Sequence, residues 1–370
     1  MSKPTVVVVG PFAPGAGGVL TFQKNLTERS NLKERWNFSR FSTSRPAKDK
    51  ASDNYSYGAL FNSGLKRTLQ GAGVTGWHVG TFPAVLKRRR ASVIQVQSSD
   101  FYNFWEGMIY VNQARALGIP SVIRFGGDFK HFYSISSPRA QRLIVRLLAT
   151  PDAIVVQSRG WKEYFSTLTD ADRLHIVGNA VLPPPPLPDR SRRGLPRALF
   201  ICTADAKRKG VDAVLEMAPQ LRGLARLVFV AAGEQVCEQV RSAGLEDVIE
   251  LNGTVDRQTM ARFYAESDLL LLPSFSEGFP NSMLEGMAAG LAFVGAPVGA
   301  VPEVIEEGVE GFLVPPGDGA ALTAATLKVV QDQGLRERMG KASYEKVCSE
   351  YELNVMFSRF DRIWNLVQRG

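Results

Sequence analysis

Cysteine and histidine are scarce here: three of each in 370 residues. Cys202, Cys237 and Cys348 are odd in number, far apart and without a CxxC pair. They read as small core residues, not as a disulfide framework or a zinc site. His78, His131 and His175 are too scattered for a histidine-rich metal centre. No apolar run reaches the roughly 18 to 20 residues that span a bilayer. A strand-like run begins at Thr5 with no basic region or cleavage site ahead of it, so no secretory leader is expected and the cytoplasm is the expected location. GxGxxG and GxxxxGKS/T are both missing, which removes the usual dinucleotide and P-loop readings. No helix-turn-helix, RRM or zinc pattern supports a nucleic-acid partner.

What is present is an α/β pattern in two halves. Continuous Val, Ile and Leu runs lie at 5–10, 93–97, 121–125 and 153–158, then at 198–203, 227–232, 248–252, 269–273, 292–296 and 312–314. Runs of this length bounded by Gly or Pro suit strands buried on both faces of a parallel sheet. Helical segments between them give repeated βαβ units and a doubly wound fold. Residues 181–188 hold four consecutive prolines, which enter neither a helix nor a central strand, so this segment is a stiff connector. The expected organisation is an N-terminal domain over 1–180, the linker, and a C-terminal domain over 189–350. The tail over 351–370 carries Phe357, Phe360 and Trp364 at helical spacing, as a helix returning to the first domain would.

Charge is uneven between the halves. Residues 1–188 hold 24 Lys and Arg against 11 Asp and Glu, while residues 189–370 hold 20 against 25. A basic N-terminal half implies an anionic neighbour. The densest run, Lys87-Arg88-Arg89-Arg90, follows an aromatic and aliphatic segment and has the composition of a polybasic surface for anionic lipid. Ordinary helix-end cations, favoured by the dipole, have the same composition.

The most informative stretch is Pro273-Ser274-Phe275-Ser276-Glu277-Gly278-Phe279-Pro280-Asn281-Ser282-Met283-Leu284-Glu285. It leaves the carboxyl end of a predicted strand, where ligands bind in open α/β sheets. The loop then opens a helix near Ser282, whose exposed N–H groups and dipole form a site for a diphosphate. Glu277 lies before that helix and Glu285 about one turn into it, so the two carboxylates can meet hydroxyls on either side of the phosphates. Ser282 and Glu285 also satisfy the capping-box pattern, which would employ Glu285 locally.

This stretch resembles the signature E-G-F-x-x-x-x-x-E of the retaining glycosyltransferases of GT-B fold in the glycogen-synthase-like family 4 group. The preceding strand with Pro273-Ser274, Gly290 through Pro302-Glu303-Val304-Ile305, and Gly311-Phe312-Leu313-Val314-Pro315 are similar to that group's flanking segments, which together lie within residues 265–315. The resemblance implies two Rossmann-like domains facing each other across a cleft, with the donor held by the C-terminal one. It implies that Glu277 contacts the transferred sugar and Glu285 the donor ribose. The backbone of Gly278, Phe279, Pro280, Asn281, Ser282 and Met283 would cradle the diphosphate, and Lys209, before Gly210, would neutralise it. The group usually carries an arginine five or six residues before that lysine. Thr203 and Ala204 stand there instead, with Lys207 and Arg208 as the neighbouring cations.

On the acceptor side the resemblance brings Gly17 and Gly18, in the glycine-rich turn after the first strand, beside the donor phosphate. It expects a histidine where Phe125 stands. Asp128, in the following Gly126-Gly127-Asp128 turn, could accept a proton from an acceptor hydroxyl or bond its own backbone. Gln95 and Gln97 stand where relatives carry histidines. Turns at Ala231-Ala232-Gly233-Glu234 and Asn252-Gly253-Thr254 resemble those that meet the nucleotide base.

The implied activity is hexosyl or N-acetylhexosaminyl transfer with retention, from a nucleotide diphosphate sugar (UDP being the commonest) to a glycan or lipid-linked acceptor. Bacterial-type cell-surface polysaccharide or glycolipid synthesis is the implied setting. No cofactor and no metal are implied, and the basic run would attach the protein peripherally to the inner membrane face. Two other classes share the architecture: a sugar-nucleotide epimerase and a non-catalytic nucleotide-sugar-binding pseudoenzyme.

Overall fold

The computed structural model describes residues 3–12, 18–44, 65–99, 101–127, 129–188, 194–202 and 205–369. In it the apolar runs are strands covered on both faces: Val6, Val7, Val8 and Val9 are at most 1% exposed, and Leu269 through Leu272 at most 3%. Two compact units divide the chain, one of Met1–Val177 with Met356–Gly370 and one of Gly178–Val355.

In the first unit the strands are β1 (Thr5–Gly10), β2 (Asn37–Ser42), β3 (Ala91–Ser98), β4 (Ser121–Phe125), β5 (Ala153–Val156) and β6 (Leu174–Ile176). They form one parallel sheet in the order β2-β1-β3-β4-β5-β6. The second unit contributes β7 (Arg197–Ile201), β8 (Arg226–Val230), β9 (Ile249–Leu251), β10 (Leu269–Leu272), β11 (Ala292–Gly295) and β12 (Gly311–Leu313). These too are parallel, in the order β12-β11-β10-β7-β8-β9. Strand order therefore reverses between β1 and β3 in one sheet and between β7 and β10 in the other. Those two switch points open crevices at the carboxyl ends of the strands.

Two strands are absent from the sequence expectation. β2 and β6 are the edges of the first sheet. Asn37-Phe38-Ser39-Arg40-Phe41-Ser42 is largely polar, and Leu174-His175-Ile176 is only three residues long. An edge strand with one open side needs no continuous apolar run, so a search for such runs passes it over.

The carboxyl-terminal helix Leu353–Arg369 buries Phe357, Phe360 and Trp364 against the first unit. Phe360 packs on Phe22 and Trp364 on Trp36, each with ring centroids 5.5 Å apart. Full burial of such a side chain contributes roughly 1.5–3 kcal/mol. Asp361 fixes the helix by accepting from Trp36 Nε1 at 2.7 Å and pairing with Arg35. Meanwhile the start of the proline segment is tied into the second unit: Val181 N–H donates to the Tyr351 carbonyl, and Leu353 N–H donates to that of Val181. The change of unit accordingly falls at Val177, ahead of the prolines.

Candidate functional site

The second unit's switch point gathers the residues that the sequence singles out there. The turn after β7 ends at Gly210, with φ +81°, where a Cβ would collide with the Pro273 carbonyl at the end of β10. Only glycine lets these two loops close on each other. The Phe275 N–H donates to the Arg208 carbonyl at 2.8 Å and locks them together.

That closure carries Lys209 to Glu277. Nζ donates to Oε1 at 2.7 Å, and both side chains are only 11% exposed. Arg208 joins from the rim: its NH1 lies 3.8 Å from the same Oε1 and donates to the Ser276 carbonyl at 2.7 Å, while Nε donates to Asp205 at 3.1 Å. Two cations thus bracket one carboxylate at a strand end. Thr203 and Ala204 lie outside the described residues.

Gly278, Phe279 and Pro280 lead into the helix Asn281–Ala288, which starts with no side-chain cap. Gly286 lets this helix lie on β10, since a Cβ there would meet Leu270 Cδ2 at 3.0 Å. Asn179 steadies the entry by donating to the Phe279 carbonyl at 3.0 Å and to Asn281 Oδ1 at 2.9 Å. Because the helix begins at Asn281, Ser282 is already inside the first turn and Met283 is buried. Glu285 consequently makes no capping box. Its Oε2 accepts from the hydroxyl of Tyr264, on helix Arg257–Glu266, at 3.0 Å. Burial raises the Glu285 carboxyl above the usual glutamate range, with the Tyr264 hydrogen bond and the Arg257 charge opposing it. The Tyr264 hydroxyl, also buried and beside that carboxylate, is pushed well up and stays a donor.

An uncapped helix start beside two cations is suited to an anion. Glu277 and Glu285 flank it with acceptors for hydroxyl groups. On the far side of β7, the turns after β8 and β9 are joined: Ala231 N–H donates to the Gly253 carbonyl and Ala232 N–H to that of Asn252, each at 3.1 Å. Ala231 sits at φ +59°, uncommon for a residue with a side chain.

In the first unit, Gly17 and Asp128 lie outside the described residues, and Gly18 opens the helix Gly18–Lys24. Gln95 is occupied structurally, its Oε1 accepting from Trp364 Nε1 at 3.1 Å. Phe125 belongs to an aromatic core, with centroids 5.1 Å from Phe165 and 5.4 Å from Phe129. Lys87, Arg88, Arg89 and Arg90 are all exposed at the end of the helix Leu65–Arg88. Asp170 and Asp172 have the spacing of a metal-binding acidic pair, but Asp170 Oδ1 accepts from the Asp172 N–H at 3.0 Å as a turn cap. Among the described residues no helix is long and apolar enough to cross a membrane.

Sequence reading left Tyr264 and Asn179 unmarked and gave Arg208 no assigned contact. Each acts through a partner distant in the chain, and no local pattern announces it.

Residues 195–332 match the family described as glycosyl transferases group 1. The chain is 32% identical over 148 residues to N-acetyl-alpha-D-glucosaminyl L-malate synthase of Bacillus anthracis, covering 39% of this chain and 38% of that protein. It is 33% identical over 184 residues to phosphatidyl-myo-inositol mannosyltransferase of Mycobacterium leprae, covering 47% and 48%. The chain therefore spans less than half the length of each of these relatives. The fold extends further: Anabaena HepE, solved in complex with UDP, superposes with a TM-score of 0.71 over 98% of this chain and 100% of its own, at 15% identity. The C-terminal unit belongs to the group 1 glycosyltransferases, and the chain as a whole has the two-domain GT-B fold.

Proposed function

We propose that the protein transfers a sugar from a nucleotide diphosphate sugar, UDP-linked in the first instance, to a hydroxyl of a glycan or lipid-linked acceptor with retention at the anomeric carbon. The observation that carries this reading is the uncapped start of helix Asn281–Ala288 beside the Lys209–Glu277 pair. The diphosphate would take the N–H groups of that helix start and the charges of Lys209 and Arg208. As the glycosidic bond breaks, negative charge develops on the leaving phosphate, and preorganised cations stabilise it most at that moment. This chemistry needs no metal, because Lys209 and the helix dipole supply the positive field.

Glu277 would hold hydroxyls of the transferred sugar. Glu285, hydrogen-bonded to Tyr264, would accept from the ribose. Arg208 would take the place of the arginine missing at 203 and 204: its NH1 lies 3.8 Å from the Glu277 oxygen that Lys209 also meets. The relatives' names support sugar transfer to small or lipid-linked acceptors, and the UDP complex of HepE supports the base. The N-terminal unit would bind the acceptor, and its exposed Lys87 to Arg90 run would meet an anionic membrane surface.

Calorimetric titration of UDP, GDP and ADP into the wild type and into Glu285→Ala tests the donor site. Binding of UDP by the wild type, weakened in the variant, is expected. Binding of none of the three would overturn the donor assignment. The configuration of the product, read by NMR, tests retention.

A further inference from the structure

The chain passes between its two units twice, leaving the first after Val177 and returning to it at Met356. Just inside the second unit these two crossings pair with each other. Val181 N–H donates to the Tyr351 carbonyl at 3.0 Å, and Leu353 N–H donates to the Val181 carbonyl at 2.9 Å. Val181 and Glu352 thereby form a parallel bridge. Each crossing also sends one side chain to Phe279, two residues before the helix Asn281–Ala288 begins. From the first crossing, Asn179 Nδ2 donates to the Phe279 carbonyl at 3.0 Å and to Asn281 Oδ1 at 2.9 Å. From the second, the Tyr351 ring packs on the Phe279 ring with centroids 6.0 Å apart.

These contacts bear on what the helix start can offer a ligand. Pro280, at the N-cap, has no N–H and no capping side chain, so the donors of the first turn begin at Asn281. An asparagine there can fold its side-chain oxygen back onto neighbouring backbone N–H groups. Asn179 holds that oxygen toward itself, so it does not compete with an outside anion for them. The other hydrogen of the same amide fixes the Phe279 carbonyl, while Tyr351 covers the Phe279 ring. The residue that leads into the helix is held at both its carbonyl and its side chain.

We propose that Asn179 and Tyr351 are positioning residues of the diphosphate site, through which the paired crossings set the N–H groups at the start of helix Asn281–Ala288. The proposal rests on the donor reading above. Neither residue needs to touch the ligand.

Calorimetry and saturation-transfer NMR on the full chain test it, with UDP, uridine and inorganic pyrophosphate as the probes. Uridine and pyrophosphate represent the two parts of UDP, and only the second would meet the helix start. Asn179→Ala should weaken UDP and pyrophosphate by about tenfold each, the loss of two hydrogen bonds, and leave uridine within about twofold. Asn179→Asp cannot donate and adds a negative charge, so it should weaken UDP further, and added salt should restore part of that extra loss. Tyr351→Ala keeps the backbone pairing and should weaken both phosphate probes about threefold. Thermal unfolding identifies the variants that fold, and where an Asn179 variant does not, Tyr351→Ala decides on the same readout. A merely structural role would lower uridine binding as well. A wild type that binds no UDP would overturn the donor reading and this proposal with it. Wild-type affinity for UDP in the folded variants, or equal loss of UDP and uridine, would overturn this proposal alone.

Discussion

Lys209 and Glu277 stand 68 positions apart in the chain, yet the ammonium donates to the carboxylate at 2.7 Å with both side chains nearly covered. Lys209 also lies in the turn that Gly210 presses against the end of β10. The cation is thus held by backbone geometry as well as by its partner. Lys209→Ala is expected to lower kcat/KM about 100- to 1,000-fold, the usual loss when a preorganised group facing developing charge is removed. Arg208, 41% exposed and farther from Glu277, is more heavily screened. Its alanine variant should lose only about tenfold. Steady-state kinetics on both variants check the ranking, and equal losses would remove the distinction between the two cations.

Tyr264→Phe tests how Glu285 is held. Burial raises this carboxyl, and the hydroxyl of Tyr264 pulls it back down by bonding the charged form. Ribose recognition needs the carboxylate, so donor binding should fade with acidification from a pH above the ordinary glutamate range. Without the hydroxyl the carboxyl rises further, and the acid limb of the kcat/KM profile should move to higher pH. The unpartnered buried oxygen should also cost about 1–3 kcal/mol in urea unfolding. A limb that stays in place would mean that Tyr264 only packs.

Gly299, at φ +58°, tests the loop behind Glu277. An added Cβ would press into the carbonyl oxygens of Glu277 and Gly278. The Ala300 N–H already donates to the Gly278 carbonyl at 2.9 Å, so the two loops cannot part without losing a bond. Gly299→Ala should destabilise by roughly 1–3 kcal/mol and raise the KM for the donor, because Glu277 is displaced. Unfolding curves and donor kinetics are the measurements. A variant with native KM would show that the loop adapts.

Membrane attachment is tested by replacing Lys87, Arg88, Arg89 and Arg90 together with glutamate. Each cation near an anionic surface contributes about 1 kcal/mol, so co-sedimentation with phosphatidylserine vesicles should largely vanish. Wild-type binding should fall with added salt and be absent on neutral vesicles. Persistent binding by the variant would move the contact elsewhere in the first unit.

Much of this protein is local in its sequence. Buried parallel strands are visible as Val, Ile and Leu runs, because a strand covered on both faces has no polar side to interrupt it. The helix after Glu277 and the glycine at 210 are equally local, since caps, turns and positive φ depend on neighbouring residues. The edge strands β2 and β6 escaped because one open side leaves their composition unmarked. Tertiary structure alone decided which side chains meet. Tyr264 reaches Glu285 across 21 positions, Asn179 reaches Phe279 across 100, and Trp364 reaches Gln95 across 269. Whether Glu285 capped its own helix or turned to a distant hydroxyl depended on where that helix began and which helix packed beside it. A contact between distant segments is settled by the packing of whole elements, and no short stretch of residues records it.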